Sequence, residues 1–224
     1  MTATLPLAQD LFRAAYENRY TWDADFPGFS ADITVAKNGE TFTGHVTVGA
    51  NLKPEITGFS NEEIFNAVKE QIWEITIHRV RRSFEDVHSK NTFTFGAKDE
   101  DGSQEIIVGG ASAGDRYKIK NNVVSMVHRH IHGTVVTIDT LSVHDTGAGY
   151  LAHRYSSIYH NPETGAQIKP RQNFTDEYQE IGGYQILVKR TIEDENGTIT
   201  FSLQNVSVPG ASRSHAQGEQ GAIQ

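Results

Sequence analysis

Residues 60–82 read Ser60-Asn-Glu-Glu-Ile-Phe-Asn-Ala-Val-Lys-Glu-Gln-Ile-Trp-Glu-Ile-Thr-Ile-His-Arg-Val-Arg-Arg82. Ser60-Asn-Glu-Glu63 has the form of a capping box, in which the Ser hydroxyl and the Glu carboxylate each satisfy an orphan backbone N–H. Ile64, Phe65, Val68, Ile72, Trp73, Ile75, Ile77 and Val80 follow broadly at helical spacing. Lys69, Arg79, Arg81 and Arg82 fall in the later turns, where cations suit the helix macrodipole. The apolar face widens after Ile72, which predicts a helix covered on more than one side.

Outward from this segment, only one other stretch reads as helical. Pro6 to Asn18 carries Leu7, Leu11, Phe12, Ala15 and Tyr16 as a stripe of about three turns. The remainder alternates and turns. Asp32–Ala36 and Thr41–Gly49 flank Lys37-Asn-Gly-Glu40, and Asn-Gly is the strongest short-range hairpin signal. Thr92–Ala97 and Gln104–Val108 flank Asp99-Glu-Asp-Gly102. Strands are then expected over 116–120, 123–132, 134–144, 150–159, 165–178, 184–193 and 198–208, divided by Asn121-Asn122, Gly133, Thr146-Gly-Ala-Gly149, Asn161-Pro-Glu-Thr-Gly165, Gly182-Gly183 and Asp194-Glu-Asn-Gly197. Eleven strands in hairpin order must curl, because wide flat sheets leave long exposed edges. The expected fold is α+β: a large curved antiparallel sheet, a half-barrel in meander order, wrapped around a long central helix, with an N-terminal helix besides.

The chain has 224 residues, enough for one large domain. No Pro/Gly/Ser-rich linker divides it before Pro209, so residues 1–208 are expected as one half-barrel domain. Residues 209–224, rich in Gly, Ser and Gln, cannot bury enough apolar surface to offset ordering and read as a flexible tail. The net charge of −8 argues against a nucleic-acid partner, which needs a basic footprint. With no Cys, disulfides, thiolate zinc sites, iron–sulfur clusters and Cys nucleophiles are excluded together. The N-terminus lacks a basic n-region and an apolar h-region, and no apolar run approaches the ~20 residues of a membrane span. The expected location is cytoplasmic.

Ten His is many for this length. His128, His130 and His132 alternate along an expected strand and so share a face, where two or three imidazoles could hold a single zinc or copper ion, with His144, His153 or His160 as further contributors. The competing reading is a polar strand face whose histidines bond across strands. Otherwise no cofactor is expected. Ser142, His144 and Asp145 offer nucleophile chemistry only weakly: no G-x-S-x-G elbow is present, and Asp145 falls on the face opposite the other two. Gly109-Gly-Ala-Ser-Ala-Gly114 lacks the Lys-Ser/Thr of a phosphate loop and reads as a turn. The aromatic set, with Trp22, Phe65, Trp73, Tyr150 and Tyr155 as the leading candidates, would line the space between helix and sheet, either as filled core or as a cavity for an apolar small molecule or lipid. Arg79, Arg81 and Arg82 at the helix end read as a solvated terminus or as a contact for anionic headgroups or phosphate, so peripheral membrane contact is compatible with the chain.

A helix enclosed by a long unclosed antiparallel sheet resembles the fold of the bacterial lipoprotein-localisation carriers of the LolA and LolB type. Phe174-Thr-Asp-Glu-Tyr-Gln-Glu-Ile-Gly-Gly-Tyr-Gln-Ile-Leu-Val-Lys-Arg190 is similar to their late strand, glycine corner and strand. Phe12-Arg-Ala-Ala-Tyr-Glu-Asn-Arg-Tyr-Thr-Trp22, Phe26-Pro-Gly28 and Asp145-Thr-Gly-Ala-Gly-Tyr-Leu-Ala-His-Arg-Tyr155 resemble, over most of residues 8–208, a protein family of unknown function known mainly from cyanobacteria and plant plastids. That resemblance implies a photosynthetic host and carries no catalytic role onto Trp22 or Arg154. Together these readings favour a non-enzymatic binding or accessory protein that holds an apolar molecule or lipid or docks a protein partner. The alternative is a metal-binding protein or metalloenzyme on the histidine strand.

Overall fold

A computed structural model describes residues 7–210. Its main body is one twelve-stranded antiparallel sheet with three helices. The helices are α1 (Ala8–Glu17), α2 (Glu62–Arg79) and α3 (Phe84–His88). The first three strands are β1 (Gly28–Lys37), β2 (Glu40–Gly49) and β3 (Pro54–Thr57). After the helical segment come β4 (Asn91–Lys98), β5 (Gln104–Gly110), β6 (Arg116–Lys120), β7 (Val123–Ile131) and β8 (Thr134–Asp145). The chain closes with β9 (Tyr150–His160), β10 (Gln167–Ile181), β11 (Tyr184–Asp194) and β12 (Gly197–Ser207).

The sheet order is β3-β2-β1-β12-β11-β10-β9-β8-β7-β6-β5-β4, open and curved as expected. Its two edges are therefore consecutive strands of the chain. The link between them contains α2 and α3, and α2, about 27 Å long at 1.5 Å per residue, lies against the inner face. Neither edge offers a long regular template for pairing with another chain: β3 has four residues and starts at Pro54, and the β4 register breaks between Phe95 and Lys98.

Four hairpins close with two central residues at positive φ: Asn38-Gly39, Asn121-Asn122, His132-Gly133 and Gly182-Gly183. Such turns match the right-handed twist of the flanking strands. At the β8–β9 hairpin, Gly149 has φ +134°, and a Cβ there would lie 2.7 Å from the Asn18 carbonyl oxygen. This close approach lets residues 18–20 dock on β9, with Tyr150 N–H donating to Asn18 O and Tyr20 N–H to Tyr150 O.

The inner face carries two clusters. α2 buries Ile64, Val68, Ile72 and Ile75 against Ala31, Ile33 and Val35 of β1, Val46 and Val48 of β2, and Phe201 and Leu203 of β12. α1 buries Phe12 and Ala15 with Phe84 of α3 against Ile106, Val108, Tyr117 and Ile119.

Several elements differ from the sequence-based expectation. α2 begins one residue later, because Asn61 is the cap: its side-chain oxygen accepts from Ile64 N–H at 3.1 Å. The Glu63 carboxylate, needed for a capping box on Ser60, pairs with Lys37 of β1 instead. α2 also ends at Arg79 rather than Arg82, since Val80 turns extended and pairs with Trp22, whose N–H donates to Arg79 O. β3 and α3 are additional elements; α3 is capped by Ser83 Oγ, which accepts from Asp86 N–H. The tail expected over 209–224 lies outside the described residues except for Pro209 and Gly210.

Candidate functional site

Where the polar flank of α2 meets β9–β11, the structure buries charge. Arg190 of β11 and Asp176 of β10 are cross-strand neighbours, 4% and 1% exposed. Arg190 Nε and Nη2 donate to the two Asp176 oxygens at 2.8 and 2.7 Å, a bidentate pair. Its remaining nitrogen, Nη1, reaches across to α2 and donates to Gln71 Oε1 at 2.8 Å and Glu74 Oε2 at 3.3 Å. Gln71, Glu74 and His78 recur at helical spacing, so one flank of α2 is polar beside an aliphatic centre.

Two tyrosines complete the seam. The Tyr155 and Tyr178 hydroxyls donate to Asp176 Oδ2 at 3.4 and 3.3 Å, and Arg79 Nη2 donates to the Tyr178 oxygen at 3.0 Å. Tyr155 stacks on Phe174 with centroids 4.6 Å apart, and the Arg190 guanidinium lies 5.6 Å from the Phe174 ring centre. Burial pushes the Tyr178 hydroxyl up to about 12 and holds Tyr155 well above its ordinary value. Both are therefore neutral donors near pH 7. Burial opposes the charge on Arg190, yet Tyr155 and Asp176 beside it raise its pKa above the ordinary value. Burying an ion pair costs several kcal/mol per ion before attraction is counted, so a helix–sheet junction that needed only adhesion would be cheaper in apolar residues. Perturbed titratable groups at such a junction mark a site hypothesis.

The five aromatic candidates do not converge. Tyr155 lies in the seam. Trp22 is buried in the core, stacked on Phe26 at 4.0 Å, with its indole N–H donating to Gln185 O at 3.2 Å. The Tyr150 hydroxyl accepts from Val124 N–H, so it pins β9 to β7. Phe65 is half-buried, and Trp73 is 55% exposed. The expectation that Trp73 lines the helix–sheet space is corrected: along α2 it falls on the side away from the Ile64–Val68–Ile72–Ile75 stripe, and that side is open to solvent.

The histidine strand also differs from its expected form. β7 ends at Ile131, and His132 sits in the turn with φ +48°, off the alternation that would align it with the other two. His128 and His130 do share a face, with ring centroids 6.0 Å apart. Each has a neighbour: His128 Nδ1 is 2.9 Å from Thr137 Oγ1, and His130 Nδ1 is 3.3 Å from Asp115 Oδ1, which also accepts the His130 N–H. Among the described residues, no group of three His, Asp or Glu is arranged to hold a metal ion. His153 and His144 join the seam instead: His153 Nδ1 donates to Asp176 O at 2.8 Å, and His144 stacks on Tyr178. Ser142 Oγ has no hydrogen-bond partner, so no Ser142–His144 pair forms. The arginine cluster divides. Arg79 turns to Tyr178, while Arg81 and Arg82 lie in the extended connection to α3.

Asp176 and Arg190 lie in the 174–190 segment but carry no role expected from the sequence. The available signal was Arg190 at an alternating, inward position of Ile186-Leu-Val-Lys-Arg-Thr-Ile192, where a charge needs a partner.

No helix among the described residues is long and apolar enough to cross a membrane. The chain is similar to a domain of an outer membrane lipoprotein-sorting protein from Vibrio parahaemolyticus, with a TM-score of 0.31 and 9% identity over 92% of this chain and 94% of that one. It is also similar to a DUF1329 family protein from Desulfovibrio piger, with a TM-score of 0.26 and 8% identity over 92% of this chain and 93% of that one. Likeness at this level carries no argument about function. Among curated proteins there is no significant match. A family model matches residues 3–208, nearly the whole described chain, and on that match the protein belongs to the DUF3386 family of proteins of unknown function.

Proposed function

We propose that the protein is a non-enzymatic binding protein that takes up an apolar small molecule or lipid between α2 and the curved sheet, in the cytoplasm of a photosynthetic host. The observation that carries this reading is the polar seam along one flank of α2, from Gln71 and Glu74 on Arg190 to Arg79 on Tyr178. Close-packed aliphatic contacts cannot part without opening a cavity. Polar contacts can be exchanged for water one at a time, so this flank is where helix and sheet separate most cheaply. Beneath it, the Tyr155–Phe174 stack supplies an apolar floor.

The test is mass under native conditions beside denatured mass, on protein isolated gently from its own host. An excess of a few hundred daltons, lost on denaturation, is the expected result. Equal masses would overturn the reading. A second reading, docking of a protein partner, is favoured by the exposed Trp73 on the outer side of α2. It predicts equal masses and a partner whose association weakens in Trp73→Ala.

A further inference from the structure

We infer that the cleft between the end of α1 and the α2–α3 connection is a binding site for a phosphoryl group, on a small phosphorylated molecule or a lipid headgroup. The cleft holds about 290 Å³, room for a phosphate with a small substituent, and three arginines, Arg19, Arg81 and Arg82, are among the residues that line it. That concentration of positive charge stands out on a chain of net charge −8. It involves neither the apolar core nor the seam, and so goes beyond the function proposed above.

The local chemistry suits an oxyanion. Arg19 Nε donates to Tyr16 O at 2.8 Å, and its guanidinium lies 3.7 Å from the Tyr16 ring centre. The fork is thereby oriented before any ligand arrives, with both terminal nitrogens free among the described residues; planar guanidinium forks match phosphate geometry. Arg81 and Arg82 are exposed and have no acidic partner among the described residues, so neither charge is already neutralised by an ion pair. The one acidic residue in the lining, Glu17, has Arg13 3.9 Å from its carboxylate as a counter-charge. Ser83 Oγ accepts from Asp86 N–H, which leaves its own proton to donate, and Thr21 also lines the cleft.

The cleft is held open by the fold. Trp22 bridges to Val80 and Arg19 to Tyr150, and the Tyr20 N–H donates to Tyr150 O, so the segments carrying Arg19, Thr21 and Arg81 are held by the backbone beside the end of α1. The arginines sit on backbone fixed from both sides.

The experiment titrates the full chain with inorganic phosphate by calorimetry at low salt, and separately cosediments it with phosphatidylcholine vesicles containing phosphatidic acid. Arg81→Gln/Arg82→Gln is compared with Lys53→Gln/Lys98→Gln, which removes the same charge elsewhere; all four side chains are outside the core, so both variants should unfold with the wild-type midpoint. Support is saturable phosphate binding, or vesicle binding, weakened at least tenfold in the arginine variant and within twofold in the lysine variant. Phosphate binding without vesicle binding assigns a small phosphorylated molecule, and vesicle binding alone assigns a headgroup. No binding of either probe, or equal weakening in both variants, would overturn the inference. Since neither titration requires an apolar ligand in the core, failure here leaves the mass test of the proposed function untouched.

Discussion

The inner face of the sheet is covered twice, and the two covers are built on different chemistry. Over β4–β7, α1 and α3 make an aromatic cluster: Phe12 stacks on Tyr117 at 4.3 Å and meets Phe84 edge-on at 5.6 Å. Its polar member is His88, 5% exposed, with its ring 5.0 Å from Phe12. Over β9–β12 and β1–β2, α2 contributes aliphatic side chains and, along one flank, Gln71 and Glu74, which accept from Arg190 of the sheet while Asp176 holds that arginine from its other side. The first cover is sealed by packing, the second is latched by charge. A packed aromatic cluster gives way only as a whole, whereas a latch can be released and re-formed. On the function proposed above, the α2 side is the one that would part to admit a ligand.

The largest effect that would break this comparison comes from stranding Arg190. Asp176→Ala should lower unfolding stability by about 3–5 kcal/mol, because it strips a buried cation of its bidentate partner and leaves only the more exposed Glu74. Asp176→Leu combined with Arg190→Met should recover most of the loss, since similar volumes are then filled without charge. Urea unfolding of the three proteins measures both numbers. If Asp176→Ala were nearly neutral, the seam would not hold Arg190 as a buried charge.

A smaller effect sharpens the other side. Burial, aided by the Arg129 charge, lowers the His88 pKa to about 4 from its ordinary 6.5. Between those values the unfolded chain binds a proton that the folded one refuses. Stability should therefore be fully present above about pH 6.5 and fall as pH drops toward 4, by at most about 3 kcal/mol from this residue. His88→Phe keeps a ring in the cluster and should flatten that part of the stability–pH curve. An unchanged slope in His88→Phe would mean the histidine is already solvated, and the cluster not sealed.

The smallest effect concerns where α2 begins. Asn61→Ala should cost about 1 kcal/mol, the usual worth of a lost N-cap. Ser60→Ala should stay within about 0.5 kcal/mol, as surface changes away from caps and cores do. Reversed values in thermal unfolding would restore the Ser60 capping box.

How much of this was legible in the chain varies by element, for physical reasons. Hairpins were legible because turn chemistry is local: Asn38-Gly39 and Gly182-Gly183 accept the positive φ of a two-residue turn at little cost, and both pairs adopt it. Strand order followed from short links, apart from β12 beside β1. α2 was legible in type but not in bounds, since its cap was decided by Lys37 taking Glu63 and its end by Trp22 pairing with Val80. β3 and α3 were too short for periodicity to show. Trp73 was misplaced because apolar residues lie on several sides of α2, and only the packed structure shows which side the sheet covers. His132 was misplaced because a one-residue shift at a strand end removes a side chain from its face.

By itself, then, the sequence determined what depends on neighbours along the chain: two helices, the alternation and turns of eleven strands, and a large curved antiparallel sheet around residues 60–82. Tertiary structure alone decided what depends on residues far apart. It joined Arg190 to Gln71 and Asp176, separated Arg79 from Arg81, and brought Arg19 to Arg81 and Arg82 around one cleft. Periodicity reports which face a side chain is on, but the partner it meets there is set by how strands register and where a helix lands.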